Sequence, residues 1–315
     1  MSLTGLGVAL LQVALTIALA PLLVGMMRVV RSRLEGRVGP PIAQPWRDLR
    51  KLLGKQRMVS DNTGLVFSVT PLVLLASAAL VAGIVPFLST RSALDQVGDL
   101  FAVVYLLLLG TVFLALAGLD AGTAFGGMGA SRGMTITAIA EPTVLVAIFA
   151  LSVSTGSSNL GAIVAATLAH PAAAASPQSL LAFGALAVVT LAETGRIPVD
   201  NPSTHLELTM IHEAMVLEYS GPDLALIELA GYLRLVVFLG LLANLFVPWG
   251  IATTAQPLDL IGAAVAVAVK VGVLATVIAI VEVFMAKVRL FKVPELLAAS
   301  FVLAFLAVTA SFFLA

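Results

Sequence analysis

Long apolar runs separated by short polar stretches dominate the chain. A helix needs about twenty mainly apolar residues to cross the hydrocarbon core of a bilayer. Eight stretches fit this rule: 4–28, 65–88, 100–119, 134–155, 179–194, 224–248, 258–286 and 296–315. The fifth is short, and residues 160–170 before it fit a half-helix or a surface segment. The pattern predicts an all-α integral membrane protein, a single transmembrane domain over residues 1–315 with about eight transmembrane helices.

Composition supports the membrane interpretation. Hydrophobic residues make up 60% of the 315 positions and charged residues 11%, whereas soluble domains are about a quarter charged. A soluble protein of this composition would expose large apolar patches. The formal net charge is zero, so no bulk charge favours nucleic acid as a partner. The first apolar stretch lacks a basic residue before it, so we interpret it as a retained helix rather than a signal peptide.

Basic residues are concentrated on one side of the predicted topology. Eight spans place both termini on one side and four connections on the other: 29–64, 120–133, 195–223 and 287–295. Together with Arg28 at the end of the first span, these connections hold fourteen lysines and arginines, against Arg91 alone on the opposite side. Since cytoplasmic loops are enriched in lysine and arginine, the four connections are predicted to be cytoplasmic. Both termini then lie outside the cytoplasm, with the protein in the inner (plasma) membrane.

The first connection contains an amphipathic stretch around Trp46 to Leu53. Two interpretations stay open for this predicted cytoplasmic helix. It rests on anionic lipid headgroups, or it docks another protein.

Several ionisable residues fall inside predicted spans, where each costs a few kcal/mol at the helix centre. Arg234 and Glu282 lie nearer span ends, and we expect them to form buried ion pairs that fix helix register. The deeper ones are predicted to handle protons, because burial and neighbouring cations poise a carboxylate between its two states. These deeper residues are Glu141, Glu228 and Lys270.

Residues 193–222 form the richest polar segment of the chain. Asn201 and Pro202 predict a helix start, and Gly221 and Pro222 predict its end. Such a helix would place Glu207 and Glu218 on one face and Glu213 on another. His205 and His212 would also share a face, but two turns apart, which is a weak zinc signal. Cysteine is absent, so this chain has no thiolates to ligate an iron–sulfur cluster.

The chain resembles a known family at these residues. Glu193-Thr-Gly-Arg196-Ile-Pro198-Val-Asp200, Glu207-Leu and Glu218-Tyr-Ser-Gly221 resemble the signature of the membrane "heel" subunit of bacterial respiratory complex I and its relatives in energy-converting [NiFe] hydrogenases. The first connection agrees, with Arg33-Leu-Glu35-Gly-Arg37-Val-Gly39-Pro40 and Gln44-Pro-Trp-Arg47-Asp48. So does Ala140-Glu141-Pro142 after Arg132. The resemblance covers essentially the whole chain.

Within this family, the sequence resembles the formate hydrogenlyase and related hydrogenase branch more than it resembles complex I. Asp200-Asn-Pro-Ser-Thr-His205-Leu-Glu207 and Arg289-Leu-Phe-Lys292-Val-Pro294-Glu295 are typical of that branch. Complex I carries further acids where Ser203 and His205 stand, and its membrane glutamate falls where this chain has Gly231. These departures disfavour ubiquinone reduction.

The resemblance implies a membrane anchor and proton-coupling subunit beneath a soluble arm. That arm, the hydrogenase large and small subunits, would carry the nickel–iron centre and iron–sulfur clusters, and antiporter-like membrane subunits would lie alongside. This chain would bind no cofactor itself. Two sets of site residues follow. The proton path is implied by the resemblance together with the depth of the residues in the spans, and the contact with the soluble arm is implied by the resemblance alone. The proton path comprises Glu141, Glu193, Glu207, Glu213, Glu218, Glu228 and Lys270, and the arm contact comprises Arg37, Arg132, Arg196, Asp200 and His205.

Two other functions stay open. The chain is a complex I subunit with a quinone site, or it is a stand-alone proton or cation transporter. The sequence shows no internal repeat of the kind common in transporters, which disfavours the latter.

Overall fold

A computed structural model describes residues 3–90, 94, 97–200, 210–254 and 256–314. Eleven α-helices account for most of these described residues. They are α1 (Leu3–Leu34), α2 (Gln44–Leu53), α3 (Leu65–Ile84), α4 (Leu100–Asp120), α5 (Ala124–Thr155), α6 (Leu160–Ala169), α7 (Pro177–Glu193), α8 (His212–Val216), α9 (Gly221–Phe246), α10 (Pro257–Phe284) and α11 (Val293–Leu314).

Seven of these helices are long and apolar enough to cross a membrane, namely α1, α3, α4, α5, α9, α10 and α11. The predicted fifth span is α7, whose 17 residues extend about 26 Å at a rise of about 1.5 Å per residue. The short helix α6 occupies the segment predicted before it. The all-α prediction is confirmed, and the chain is a multi-pass membrane protein.

The helices pack around α9, whose residues 235–246 are all buried. Helix α11 lies against α5 and α7, α3 against α4 and α9, and α1 against α9 and α10. By contrast, α10 directs Val265, Val269 and Val273 outward. An apolar outward face suits contact with lipid or with another membrane helix.

Helix α5 begins ten residues before the predicted span, at Ala124 rather than at 134. The Thr123 hydroxyl accepts a hydrogen bond from the Gly126 amide, 3.2 Å away, and so caps the helix. A Cβ at Gly126 would collide with the Gly118 carbonyl oxygen, so α4 and α5 approach closely here. The segment 124–133 is therefore helical, and Arg132 stands on a helix rather than in a loop.

The helix predicted between Pro202 and Ser220 is wrong over the part that the structure describes. Residues 201–209 lie outside the described residues, and between 210 and 220 only His212–Val216 is α-helical. The chain then turns toward α3, where the Tyr219 ring stacks on Phe67 at 4.0 Å and its hydroxyl donates to the Phe67 carbonyl at 2.8 Å. Burial raises the pKa of that hydroxyl. These long-range contacts draw the chain out of its helical path.

The amphipathic stretch of the first connection is a helix, α2, with Pro45 and Leu49 buried. The segment before it folds back onto α1, where a Cβ at Gly25 would collide with the Ile42 carbonyl oxygen. The Trp46 indole N–H donates to the Ala18 carbonyl at 3.2 Å. Helix α2 is thus fixed against α1 by close backbone contact and one hydrogen bond.

Candidate functional site

A buried acid–arginine cluster lies where α4, α5, α7 and α9 meet. Arg234 of α9 forms an ion pair with Glu193 at the end of α7. Its guanidinium also lies 3.8 Å from Glu141 of α5 and donates to the Leu107 carbonyl of α4 at 3.1 Å. Glu141 and Glu193 are 6% and 5% exposed. The structure thus brings together two of the predicted proton-path acids, and it confirms the ion pairing expected of Arg234.

The hydrogen bonding of this cluster is incomplete among the described residues. Glu141 Oε1 and Arg234 Nε are both buried, and neither has a hydrogen-bond partner there. Pro142 follows Glu141 and lacks an N–H, so the helix also loses a donor to the carbonyl of Ala138 at this level. Two carboxylates facing one guanidinium carry a net negative charge when both are ionised, and a net charge is costly to bury. One added proton would neutralise it.

A second set of contacts ties the loop after α7 to the end of α10. The Arg196 guanidinium pairs with Glu282 at 3.3 Å, and the Glu282 side chain is 4% exposed. Asp200 pairs with Lys287 at 3.3 Å, and the Val288 amide donates to the Pro198 carbonyl at 2.9 Å. The ion pairing expected of Glu282 is confirmed. We call the segments 195–200 and 282–288 the strap.

Asp200 also positions the start of α8. Its carboxylate accepts a hydrogen bond from the His212 amide at 3.3 Å and lies 3.6 Å from the His212 ring nitrogen. Burial by itself would raise the pKa of this carboxyl, but the hydrogen bonds from His212 and the charges of His212 and Lys287 outweigh it and lower the pKa. Asp200 is therefore a fixed anion at neutral pH.

Glu228 belongs to a different group, on another side of α9. The Tyr232 hydroxyl contacts the Glu228 carboxylate and accepts from Arg28 at 3.5 Å. Arg28 lies 3.6 Å from Asp48 of α2. Through these contacts α1, α2 and α9 are linked at the end of the molecule that holds the basic connections, here named the basic end.

Lys270 lies away from the acids, toward the opposite end where α1 begins, here named the amino end. Its ammonium donates to Asn244 Oδ1 at 2.7 Å and to the carbonyls of Val247 and Trp249 at 3.0 and 2.9 Å. Asn244 is ten residues past Arg234 on α9, which corresponds to about 15 Å along the helix. The structure therefore does not group Lys270 with Glu141 and Glu193.

The remaining predicted residues are dispersed. Arg132 donates to the Met210 carbonyl at 3.4 Å, which joins α5 to the segment before α8. Glu218 is exposed and Glu213 is half-buried. Arg37 is exposed and pairs with Glu35 at 3.3 Å. His205 and Glu207 lie outside the described residues.

Sequence reasoning missed two carboxylates that fasten the basic end. Asp223, at the start of α9, accepts from Arg57 at 2.7 Å. Asp120, at the end of α4, accepts from the Gly64 and Phe67 amides at 2.8 and 3.0 Å and so caps α3. Their position at span ends was the available signal, since a helix start needs acceptors for its free N–H groups.

Comparison with known proteins gives relatives along nearly the whole chain. Formate hydrogenlyase subunit 4 of Escherichia coli is 36% identical over 298 residues, covering 95% of this chain and 96% of that protein. Hydrogenase-4 component C of Escherichia coli is 34% identical, covering 95% and 93%. An NADH-quinone oxidoreductase subunit of Thermomicrobium roseum is 33% identical, covering 70% of each chain.

The fold has a solved counterpart, and a family model matches the sequence. A chain in the structure of the membrane-bound sulfane sulfur reductase, an archaeal respiratory membrane complex, superposes with a TM-score of 0.82 over 96% of this chain and 98% of that one, at 22% identity. That likeness concerns the fold alone. The family model described as NADH dehydrogenase matches residues 6–313. Together with the relatives of the hydrogenase branch, this match shows that the chain belongs to the NADH dehydrogenase family of membrane proteins, which includes the heel subunit of complex I.

Proposed function

We propose that this chain is the membrane anchor and proton-coupling subunit of an energy-converting [NiFe] hydrogenase or formate hydrogenlyase-type complex. It links a soluble redox arm, the hydrogenase large and small subunits, to antiporter-like membrane subunits. The identities to formate hydrogenlyase subunit 4 and hydrogenase-4 component C support this branch. The chain has no cysteine, so the nickel–iron centre and the iron–sulfur clusters belong to the partners.

The observation that carries the coupling role is the buried Glu141–Arg234–Glu193 cluster. A single guanidinium compensates two carboxylates, and Glu141 Oε1 has no hydrogen-bond partner among the described residues. In this proposal the cluster takes up one proton when the arm turns over and releases it afterwards. The change in charge then alters how firmly Arg234 holds α7 against α9.

The strap and its neighbours provide the arm contact. Arg196 and Asp200 are held by Glu282 and Lys287, so the loop between them has a fixed shape. Arg132 and the exposed Arg37 extend the same basic end. In this proposal the basic end lies in the cytoplasm, because lysine and arginine concentrate at that end. Both termini then lie on the opposite side of the inner membrane, outside the cytoplasm.

Orientation has a direct test, because the chain has no native cysteine. Asp61→Cys reports the basic end and Ala172→Cys reports the amino end, and both positions are exposed. A membrane-impermeant maleimide applied to intact cells should label Ala172→Cys only, and applied to inverted vesicles should label Asp61→Cys. The reverse pattern would overturn the orientation.

The complex itself is tested by tagging the chain and purifying it from host membranes in a mild detergent. We expect nickel and iron to co-purify with hydrogenase subunits and antiporter-like subunits. Bound quinone with NADH-linked subunits would instead establish a complex I subunit. Ion flux by the chain reconstituted alone would establish an independent transporter.

Coupling is tested by Glu193→Gln and Glu141→Gln in the assembled complex. We expect proton pumping in inverted vesicles to fall at least tenfold for Glu193→Gln, because loss of a general acid or base commonly costs 10²- to 10⁴-fold in proton transfer. Asp61→Asn, an exposed acid remote from the cluster, serves as the matched control. Unchanged pumping by both cluster variants would remove the cluster from the mechanism.

A further inference from the structure

We propose that residues 85–89, held by Gln12, Asn244 and Lys270, form a closed seal at the amino end of the bundle. In this assignment the seal blocks passage of ions through this chain, and Lys270 is the fixed cation that locks it rather than a proton carrier. The proposal concerns the end of the molecule opposite the acid–arginine cluster, and it does not depend on the coupling role of that cluster.

The segment after α3 turns into the bundle instead of leaving it. Val85, Phe87, Leu88 and Ser89 are each at most 2% exposed. The Phe87 ring lies against α9, where a Cβ at Gly240 would collide with it. Irregular backbone at membrane depth is stable only if its polar groups are satisfied within the protein.

Gln12 of α1 satisfies one side of this segment. Its amide nitrogen donates to the carbonyls of Ala82 and Val85 at 2.6 and 2.7 Å. Its amide oxygen accepts from the Leu88 amide at 3.1 Å. The Gln12 side chain, 1% exposed, therefore replaces the helical hydrogen bonds that α3 loses where it ends.

Asn244 of α9 satisfies the other side. Its amide nitrogen donates to the Pro86 and Phe87 carbonyls at 2.8 and 3.3 Å. The Leu88 carbonyl accepts from the Ala252 amide at 2.9 Å, and the Phe87 amide donates to the Val85 carbonyl at 2.8 Å. Every backbone N–H and carbonyl from Val85 to Leu88 is therefore paired, as a buried loop requires.

Lys270 closes the network from α10. Asn244 Oδ1 and the carbonyls of Val247 and Trp249 accept its three hydrogen bonds. All three acceptors are neutral, and within the part of the chain that the structure describes no carboxylate pairs with this ammonium. Val247 and Trp249 follow the C-terminus of α9, the end of a helix that favours a cation. An ammonium whose three N–H groups are already used is built to hold a position.

Proton conductance without redox turnover tests this assignment. The purified complex is reconstituted into proteoliposomes, a potassium diffusion potential is imposed, and an internal pH dye records proton entry. We expect Lys270→Met and Gln12→Leu to raise the passive proton conductance at least tenfold. Each variant removes several buried hydrogen bonds, and the loss of one alone can shift an opening equilibrium by about tenfold. Lys270→Arg, which keeps a cation with several N–H donors, should restore most of the barrier.

Thr276→Val is the matched control, because its hydroxyl bonds only the Gly272 carbonyl of its own helix. It should leave the conductance at the wild-type value. An unchanged conductance in both seal variants overturns the proposal. So does a Lys270→Met complex that pumps less, shifts its pH profile and does not leak, since that pattern belongs to a proton carrier.

A second readout covers variants that assemble poorly. Ser89→Cys places a thiol at a position 2% exposed. In an otherwise wild-type chain we expect this thiol to resist a membrane-impermeant maleimide, and in the Lys270→Met background we expect it to react from the amino end. Equal protection in both backgrounds would contradict the seal.

Discussion

The acid–arginine cluster and the amino end of the bundle bury their polar groups in opposite ways. In the cluster, charges face charges, as in the contacts of Arg234 with Glu141 and Glu193. At the amino end, the cation Lys270 faces only neutral acceptors. The first arrangement leaves Glu141 Oε1 and Arg234 Nε without partners among the described residues, whereas in the second all three ammonium donors are used.

In the two roles proposed above, this difference separates a group that changes its charge from one that keeps it. The proposed coupling role requires a carboxylate of the cluster to gain and lose one proton beside the shared guanidinium. Deprotonation of the Lys270 ammonium would remove one of its three N–H donors and so break one of its three hydrogen bonds. Burial depth alone does not distinguish these two roles, since the cluster and the amino end both bury ionisable groups.

The largest effect should come from removing the shared cation. Arg234→Met leaves two buried carboxylates uncompensated, and breaking a buried ion pair in this way costs about 3–5 kcal/mol. We expect little assembled complex, measured as the amount of the chain recovered with its partners. Arg234→Met combined with Glu193→Gln should recover part of the loss. Equal recovery of the single and the double variant would mean that uncompensated carboxylates in the cluster are not the cause of the loss.

A smaller effect is expected at the amino end. Asn244→Leu leaves the Pro86 and Phe87 carbonyls and one donor of Lys270 unsatisfied, each at a cost of about 1–3 kcal/mol. The thermal midpoint of the complex at pH 6 should fall. An unchanged midpoint would mean that these hydrogen bonds do not stabilise the amino end.

The smallest effect is expected at the strap. The pKa of Asp200 is lower in the folded state, so its contribution to stability is present above the ordinary aspartate value of about 3.9 and is lost as pH falls through the folded pKa. Asp200→Asn exchanges hydrogen bonds to a charged group for neutral ones, a difference of about 1 kcal/mol. Its thermal midpoint should lie below wild type at pH 7 and pH 5 and approach it near pH 3. A constant offset at all three would contradict this linkage.

Most membrane-crossing helices follow from the sequence because length and hydropathy alone define them. The early start of α5 does not, because residues 124–133 include Gly126, Gly127 and Gly129 and are too polar to resemble a span. These glycines lack a Cβ and so let α4 and α8 pack closely against this segment, which is helical in the folded chain. A Cβ at Gly129 would meet the Ala214 side chain at 2.9 Å. That contact joins residues far apart in sequence.

The types of residue in the candidate site were also predictable, because an ionisable group in an apolar span is conspicuous. Their pairing was not, since it depends on how far each helix is rotated about its axis. Glu228 and Arg234 are six residues apart on α9, which points them to different sides, toward Tyr232 and Glu193 respectively. Gln12 and Asn244 were overlooked because they carry no charge.

One consequence of the strap reaches beyond electrostatics. Glu193 and Arg196 are separated by a single turn, so the carboxylate that holds Arg234 and the guanidinium that holds Glu282 move together. A displacement of that turn by a fraction of an ångström would pull on α10, whose outer face is free to contact a neighbouring subunit. Under the proposed function and the proposed seal, the bundle would transmit such a displacement from the soluble arm to the outer face of α10 without the passage of an ion through this chain.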